Sequence, residues 1–376
     1  MKKRMKYVLI VLAIFLAAAG GAAWWILSRP MFGRQPGGER LARLAASPNY
    51  VNGVFVNKSP KPALGEGANP LKMAWDFFFR KRARPAKPLP SRKTDLARLP
   101  ANQDVIIWFG HSSLFMQIAG KKFLIDPNFT SFASPFKWKT YSFEGTDIYS
   151  TDEIPFIDYI LITHNHFDHL NYETIQGMTG KAGKVICGLG VGSCLEYWGV
   201  PPDRIIEADW DESLALDSGI RLHVLTAHHF SGRTLGDRDK TLWASFLLET
   251  PLFSIYLGGD SGYGPHFAEI GERFGPIDLA LLENGQYDLN WKYNHMQPEE
   301  TLEAALDLKA KRLLPIHAGR FILANHPWDE PYLRISKLAE NRGIELLTPM
   351  IGEPVYLGSA DQVFTHWWEN IGSEEK

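Results

Sequence analysis

Short apolar runs separated by turn residues dominate the chain after Asp104. Three β-rich runs follow one another closely, with Gly110-His111 and Gly120-Lys121 between them, and this spacing predicts an antiparallel meander. Later apolar runs predict further short strands, among them a hairpin around Thr250-Pro251. The predicted strands cover residues 105–109, 114–118, 122–125, 184–187, a segment around Ile205, 222–225, 243–249, 253–257, 279–282 and 313–316.

Helices are predicted between several of these strands, where apolar residues recur every three or four positions. Tyr172, Ile175 and Met178 share one face of a predicted helix. Another begins at Pro298, because proline and early acidic residues suit a helix amino terminus, and a third is predicted near 191–198. Strands and helices mixed in this way predict an α/β fold in one domain, with two sheets between helical layers.

The amino-terminal residues differ in composition from the rest of the chain. Basic residues at positions 2, 3, 4 and 6 precede residues 7–27, which include no charged side chain and are long enough to cross a bilayer. Trp24 and Trp25 suit an interfacial aromatic belt and favour an uncleaved anchor over a signal peptide, for which the small residues before them offer cleavage sites. The basic residues before the span outnumber Arg29 and Arg34 after it. The positive-inside rule therefore predicts a single-pass anchor in the inner membrane of a bacterial cell, with the main domain in the periplasm.

Residues 29–100 contain ten prolines, a density that predicts an extended arm and not an independent domain. Within this arm, Trp75 and the phenylalanines at 77–79 lead into a basic run that has no acidic residue from 80 to 93. Aromatic and basic residues together suit an anionic lipid surface; alternatively, the aromatics pack the arm onto the main domain and the basic residues are only solvated. The predicted organisation is an anchor (1–28), a proline-rich basic arm (29–100), a main domain (101–360) and a carboxyl-terminal tail (361–376).

Overall composition narrows the class of protein only slightly. The 376 residues are 45% apolar and 12% aromatic, enough for one large domain with extensions. A formal net charge of -2 gives no signal for nucleic-acid binding, despite the basic run in the arm. The two cysteines, Cys187 and Cys194, are too few for a disulfide framework and are expected to be buried thiols, although one bridge is the alternative.

One apolar run, 160–162, leads into a dense group of potential metal ligands. His164, His166, Asp168 and His169 lie within six residues. Residues two apart in an extended segment point the same way, so the first two histidines can reach one ion, whereas the last two residues follow a turn and can face a second. A lone histidine here is more often structural, but three imidazoles and a carboxylate this close are costly to bury without a metal. The segment therefore predicts a metal site.

A site for two metals needs further ligands, and three later strand ends supply candidates. Each places histidine or aspartate where an apolar strand gives way to small residues, and nearby glycines permit the close approach that a metal site requires. Each is weak alone, but in this order behind 164–169 they predict a dinuclear site. The candidates are His228 and His229 after 222–226, Asp260 after 255–257 and His317 after 313–315.

The pattern His-x-His-x-Asp-His at 164–169, followed by these later residues, resembles the metallo-β-lactamase superfamily. The resemblance extends from about residue 105 to about residue 355 and is greatest to the branch that contains N-acylphosphatidylethanolamine-hydrolysing phospholipase D. It implies an αβ/βα four-layer sandwich. The motifs that carry it are Trp-Phe-Gly-His-Ser at 108–112, Thr-His-Asn-His-Phe-Asp-His-Leu at 163–170, His-Phe-Ser-Gly-Arg-Thr at 229–234, Gly-Asp-Ser-Gly-Tyr at 259–263, and the segments 273–279, 292–300 and 316–321.

The same resemblance implies two zinc ions per chain. The motif at 229–234 selects His229 over His228, which stands where that branch usually has glutamine. The implied ligands are His164, His166 and His229 for one zinc, Asp168, His169 and His317 for the other, and Asp260 as the bridge between them.

Two zinc ions about 3.5 to 4 Å apart hold and activate a water, so hydroxide attack on phosphorus or on a carbonyl carbon is the expected reaction. The chain has no Gly-x-Ser-x-Gly turn, and no serine or cysteine nucleophile is needed. Asp168 and His295 are the candidate catalytic residues. By resemblance His295 lies at the pocket, where it contacts a phosphate or protonates the leaving alkoxide; the alternative is that it caps its loop. His111 and Asp126 are expected to orient the ligands.

These features predict a membrane-anchored dinuclear zinc hydrolase, a phosphodiesterase of phospholipase D type that acts on N-acylphosphatidylethanolamine-like lipids. A lactonase or carboxylic-ester hydrolase with the same metals is an alternative that ligand spacing does not exclude. A second alternative is a non-catalytic metal-binding protein of the envelope, which the complete ligand set disfavours. The expected partners are a phospholipid substrate and the membrane, reached through the anchor and the basic-aromatic arm, and not nucleic acid.

Overall fold

Two seven-stranded β-sheets form the centre of the protein. The structure is a computed structural model that describes residues 2–79, 83–234, 236–340, 342–359 and 361–375. The basic residues at 80–82, part of the basic run in the arm, lie outside the described residues.

The strands are β1 (Tyr50–Val51), β2 (Val54–Phe55), β3 (Ala83–Pro85), β4 (Val105–Trp108), β5 (Leu114–Ile118), β6 (Lys121–Ile125), β7 (Ile157–Ile162), β8 (Ala182–Gly188), β9 (Ile205–Ala208), β10 (Ser213–Ala215), β11 (Arg221–Leu225), β12 (Ser245–Glu249), β13 (Ser254–Leu257), β14 (Leu279–Glu283), β15 (Arg312–Ile316), β16 (Glu345–Leu346), β17 (Pro354–Tyr356) and β18 (Ser373–Glu375). The helices are α1 (Lys2–Leu27), α2 (Gly38–Ala45), α3 (Pro70–Phe79), α4 (Tyr172–Met178), α5 (Gly192–Tyr197), α6 (His266–Phe274), α7 (Pro298–Asp307) and α8 (Glu330–Ala339). Each strand whose two ends were predicted from the sequence has a counterpart whose ends differ by at most two residues, and the apolar run at 160–162 forms the last half of β7. The predicted helices correspond to α4, α5 and α7.

The first sheet has the order β17-β4-β5-β6-β7-β8-β9. Its strands β4, β5 and β6 pair antiparallel, which confirms the predicted meander, and β6 to β9 pair parallel. The second sheet has the order β10-β11-β12-β13-β14-β15-β16, with antiparallel pairs up to β13 and parallel pairs after it. Its β12–β13 hairpin is the one predicted around Thr250.

Apolar side chains cover both faces of each sheet. In β4, Ile106 and Trp108 pack between the two sheets, while Val105 and Ile107 pack against the outer helices. A strand buried on both faces has no need of polar residues, and this explains why the sequence shows continuous apolar runs and little alternation. Helices α4 and α5 cover the outside of the first sheet, and α6, α7 and α8 that of the second. The four-layer αβ/βα sandwich is thereby confirmed.

The direction of the strands brings the candidate ligands to one edge of the sandwich. Strands β11, β13 and β15 run parallel to one another within the second sheet, and β7 runs parallel to β6 and β8 in the first. The carboxyl ends of parallel strands meet at the same edge. The candidate ligands that follow β11, β13 and β15 therefore lie at one edge of the second sheet, and those that follow β7 of the first sheet lie close to them.

Helix α1 matches the predicted anchor. It spans 26 residues, and its described side chains are exposed. Residues Lys3–Leu27 form one helix that is long and apolar enough to cross a membrane.

The arm at 29–100 differs from the extended conformation that its prolines predicted. It includes helices α2 and α3 and the β1–β2 hairpin, and β3 pairs with β18. The prolines do not interrupt these helices, because Pro70 occupies the first position of α3 and no proline lies within α2. Leu44 of α2 and Phe55 of β2 are buried in the central core. The arm is therefore attached to the domain along much of its length.

The segment predicted as a carboxyl-terminal tail also packs on the domain. Trp367 and Trp368 are buried against Tyr332 of α8. Cys187 and Cys194 are buried free thiols, as expected.

Candidate metal centre

The first two candidate histidines follow the end of strand β7, at the edge of its sheet. Nε2 of His164 lies 2.8 Å from Nδ1 of His166, two residues further on. His229, which follows β11 of the other sheet, brings its Nε2 to 3.3 Å from the same Nδ1. The ligand atoms of these three histidines and Asp260 all lie within 4.8 Å of one another. The structure thus brings together the three histidines that the sequence assigned to one ion.

Asp168 and His169 follow a turn and lie in a second group. Their ligand atoms and those of His111 and His317 lie within 4.8 Å of one another, and Oδ2 of Asp168 is 2.9 Å from Nε2 of His111. The backbone N of His317 donates to the carbonyl of His111 at 2.8 Å. This bond ties the β4–β5 turn of the first sheet to the end of β15 in the second. His111, expected only to orient ligands, is therefore close enough to belong to the group.

Asp260 lies between the two groups. Its Oδ2 is 3.1 Å from Nε2 of His169 and 3.7 Å from Nε2 of His229, and its Oδ1 is 3.2 Å from Nδ1 of His317. One carboxylate therefore faces ligand atoms of both groups, which is the position that a bridging ligand requires. The assignment of each ligand to a particular ion stays a prediction.

The two groups are suited to hold cations. Nε2 of His169 and Oδ1 of Asp260 are buried and have no hydrogen-bond partner among the described residues. Burial lowers the pKa of His166 to about 3, so its imidazole is neutral and offers a lone pair. Burial would also lower the pKa of His169, but Asp260, Asp168 and Asp126 outweigh it and raise that pKa well above the usual value. These carboxylates favour positive charge at this place, and the nitrogen and oxygen donors are able to bind metal.

Asp126 and Ser112 hold two of the histidine rings. Oδ2 of Asp126 lies 2.7 Å from Nδ1 of His169, and the same carboxylate accepts hydrogen bonds from N and Oγ1 of Thr163 at 2.8 and 2.6 Å. Oγ of Ser112 lies 2.7 Å from Nδ1 of His317. Because Asp126 engages Nδ1 of His169, Nε2 of that ring is left for a metal, and Ser112 fixes the orientation of the His317 ring. Asp126 occupies the orienting position that we expected for it.

His295 and Glu283 form a hydrogen-bonded pair beside the two groups. The ring of His295 stacks on His317 with centroids 5.2 Å apart, and its Nδ1 lies 2.6 Å from Oε2 of Glu283. Glu283 is fully buried at the end of β14, where its Oε1 accepts from N of Met296 at 2.5 Å. Burial raises the pKa of Glu283 and lowers that of His295.

Glu283 is a site residue that sequence reasoning missed. The available signal was its position, because it follows the apolar residues 279–282 directly, much as Asp260 follows 255–257. The choice of His229 over His228 agrees with the geometry. The ring of His228 turns away from both groups and packs on His266, with centroids 4.8 Å apart.

Comparison with known proteins places this geometry in a family. The model of a family described as "Beta-lactamase superfamily domain" matches residues 121–318. An uncharacterized protein of Mycobacterium tuberculosis is 37% identical over 82% of this chain and 84% of its own length. The mitochondrial N-acyl-phosphatidylethanolamine-hydrolyzing phospholipase D of Saccharomyces cerevisiae is 34% identical over 63% of this chain, which spans about half (52%) of that relative.

A solved structure agrees at the level of the fold. Igni18, a metallo hydrolase from the archaeon Ignicoccus hospitalis, superposes with a TM-score of 0.50 and 20% sequence identity. The superposition covers 68% of this chain and 98% of Igni18.

Proposed function

The chain belongs to the metallo-β-lactamase superfamily, has the metal-dependent hydrolase fold and is related to N-acylphosphatidylethanolamine-hydrolysing phospholipases D; from this premise we propose that it is a phosphodiesterase of phospholipase D type. Its substrates are N-acylphosphatidylethanolamine-like lipids, and its cofactor is a pair of zinc ions. The observation that carries the proposal is the position of Asp260 between two groups of ligands. That arrangement suits two ions that share one carboxylate.

Seven side chains hold the ions in this proposal. When bound, the zinc pair would lower the pKa of a water molecule and stabilise negative charge on the phosphate oxygens. One ion takes His164, His166 and His229, the other takes Asp168, His169 and His317, and Asp260 serves both.

The chain's own residues place the water and receive the leaving group. Burial would raise the pKa of Asp168, but His169 and His111 lower it well below the usual value, so this carboxylate is ionised and can accept a hydrogen bond from the attacking water. Burial raises the pKa of Glu283, so its carboxyl carries a proton and donates it to Nδ1 of His295, which leaves the ring's own hydrogen on Nε2. Nε2 gives this proton to the departing alkoxide while Glu283 transfers its proton to Nδ1, so that the ring stays neutral. A new phosphorus–oxygen bond forms from the water while the bond to the N-acylethanolamine oxygen breaks. The products are phosphatidate and an N-acylethanolamine.

An exposed group of aromatic side chains supports a lipid substrate. Trp75 and Phe79 of α3 are each 63% exposed, and Trp138 of the β6–β7 connection is 61% exposed. Phe78 joins them, because its ring lies 5.6 Å from Phe136 and 6.1 Å from Trp138. We call these five residues the aromatic patch. Lysines at 72, 137 and 139 lie beside it in the sequence, and aromatic rings among basic residues suit the interface of an anionic membrane.

The sequence allowed two roles for the arm's aromatic residues, contact with lipid or packing on the main domain, and packing accounts for only some of them. Phe77 and Phe78 are half-buried, whereas Trp75 and Phe79 remain exposed. The proposal therefore includes docking of the aromatic patch on the membrane that α1 crosses. By the positive-inside rule, α1 is a single-pass anchor of the bacterial inner membrane, and the catalytic domain lies in the periplasm.

The test of the activity is phosphatidate release from vesicles that contain N-acylphosphatidylethanolamine, by the full chain reconstituted with zinc. Release is expected, and it should disappear in His166→Ala, which removes a ligand. His223→Ala is the matched control, because it also removes an imidazole from the sandwich, but His223 lies within β11 and pairs with Ser213 and Glu249. Absence of release from protein that holds two metals per chain would overturn the lipid substrate and favour lactones and esters.

The topology has a separate test. A reporter that is active only outside the cytoplasm, fused after residue 376, should give signal in a bacterial host. A silent fusion that is made in full length would reverse the proposed orientation.

A further inference from the structure

Two polar side chains of the arm form hydrogen bonds with the loops of the metal centre. Asn57 makes a two-point contact with the backbone of His229: its Nδ2 donates to the carbonyl at 3.0 Å, and its Oδ1 accepts from the backbone N at 3.2 Å. A strand partner makes the same pair of bonds, so this contact holds the two peptide units on either side of a candidate ligand.

Lys61 joins that loop to the loop of His295. Its Nζ donates to the carbonyls of His228 and Tyr293, each at 3.1 Å, and to Oδ1 of Asn294 at 2.5 Å. An ammonium group has three hydrogens, and these three acceptors use all of them. The two loops, which lie more than 60 residues apart in the sequence, are thus linked through one side chain.

Asn294 connects Lys61 to both histidines. Its backbone carbonyl lies 3.2 Å from Nδ1 of His229, so that ring directs Nε2 toward the ligand group, and the next residue is His295. The arm also contacts the loop that precedes Asn294: the backbone N of Gly65 donates to the carbonyl of Asn290 at 2.7 Å. A Cβ at Gly65 would lie only 1.9 Å from the carbonyl oxygen of Leu289, so the approach requires glycine.

We propose that Asn57 and Lys61, together the arm clamp, are positioning residues of the metal centre that fix His229 and His295 relative to each other. In this proposal the arm helps to position the site residues, in addition to connecting the domain to α1. The inference rests on the metal centre of the proposed function but not on its substrate.

The consequence for metal binding is measurable without substrate. Residues that orient a metal ligand typically change metal affinity by about 10- to 100-fold, and we expect that loss for Asn57→Ala and for Lys61→Met. The measurement is competition for zinc between the full chain and a fluorescent chelator. The visible absorption of the cobalt-substituted protein should shift in both variants, because that spectrum reports the geometry of the ligands.

Lys58→Met is the matched control. Lys58 lies between the two clamp residues in the sequence but pairs with Asp211, outside the ligand groups. Its zinc affinity and cobalt spectrum should equal those of the unmodified chain. If Lys61→Met and Asn57→Ala behave like Lys58→Met, the arm clamp has no positioning role.

Chemical rescue separates positioning from general loss of structure. Lys61→Cys can be alkylated with bromoethylamine, which restores an ammonium group on a side chain of nearly the same length. The native thiols Cys187 and Cys194 are buried and protected, so the reaction is directed to position 61. Zinc affinity and the cobalt spectrum should return after alkylation. A failure to return, from folded and alkylated protein, would contradict the proposal whether or not the enzyme hydrolyses lipid.

Discussion

The candidate ligands and the arm contribute to the same site but are held in place differently. The candidate ligands follow β7, β11, β13 and β15, most of whose side chains are buried in the core around both sheets. The arm reaches the site through hydrogen bonds of Asn57 and Lys61. A residue at the end of a core strand is fixed by many apolar contacts at once, whereas a single hydrogen bond contributes about 0.5 to 1.5 kcal/mol. Variants should therefore divide into two classes by the size of their effects.

The largest effect is expected from Asp260→Ala, which removes the carboxylate that faces both groups. Activity should fall by more than about 10³-fold, since under the proposed function both ions would lose a ligand and the site would retain uncompensated charge. Metal content per chain, measured by elemental analysis, should fall in parallel. Asp278→Ala is the control, because Asp278 precedes β14 of the same sheet and bonds Ser254 and Lys311 at the opposite edge. A variant that keeps both metals would show that Asp260 is not a shared ligand.

Phe55→Ala tests whether all of the arm is held less firmly than the core strands. Phe55 belongs to the arm, yet it is 1% exposed and packs in the central cluster with Phe123 of β6. Truncation of a buried phenylalanine costs about 3 to 5 kcal/mol, and we expect Phe55→Ala and Phe123→Ala to be equally destabilising in urea unfolding. A loss at position 55 that is several-fold smaller, or a separate transition, would mean that the arm unfolds independently of the sandwich.

Asp126→Asn should have an intermediate effect. The carboxylate holds His169 and Thr163 but is not itself expected to bind metal, so zinc affinity should weaken by about 10- to 100-fold. Asp158→Asn serves as the control, because Asp158 lies at the other end of β7 and accepts from N of Lys122. If the zinc affinity of Asp126→Asn equals that of Asp158→Asn, Asp126 has no role in holding His169 for the metal.

The smallest effect is expected from the double variant Trp75→Ser and Trp138→Ser. Removal of two exposed rings should lower hydrolysis of vesicle lipid by about tenfold, relative to a short-chain soluble substrate, because only the vesicle requires docking. Leu252→Ser is the control, since Leu252 is 75% exposed in the β12–β13 turn at the far edge of its sheet. Equal loss on both substrates would indicate damage to the site and not to a lipid surface.

The sequence predicts the strand-held part of this molecule well because the physical causes are local. Apolar runs bounded by glycine define the strands, and the candidate metal ligands follow the ends of those runs. His164, His166 and Asp260 could therefore be named before any geometry was known. His229 was separated from its neighbour His228 only by the resemblance of its motif, since both follow the same strand.

The arm-held part was missed because its causes are not local. Asn57 and Lys61 act through backbone atoms of distant loops, and a side chain that bonds a backbone leaves no pattern in the sequence. Glu283 was missed for another reason: one acidic residue after a strand does not reveal that it is fully buried against a histidine. The density of prolines also concealed α2 and α3, because prolines at the boundaries of short helices give the same composition as an extended chain.

Helix α1 and the arm clamp are parts of one continuous chain, with 29 residues between Leu27 and Asn57. Even fully extended, a linker of this length spans only about 100 Å, and α2 shortens it. With α1 across a bilayer, the domain faces only one leaflet and searches that leaflet by lateral diffusion. Its turnover should follow the mole fraction of substrate in that leaflet, and dilution of the vesicles into more buffer should leave the rate per molecule unchanged.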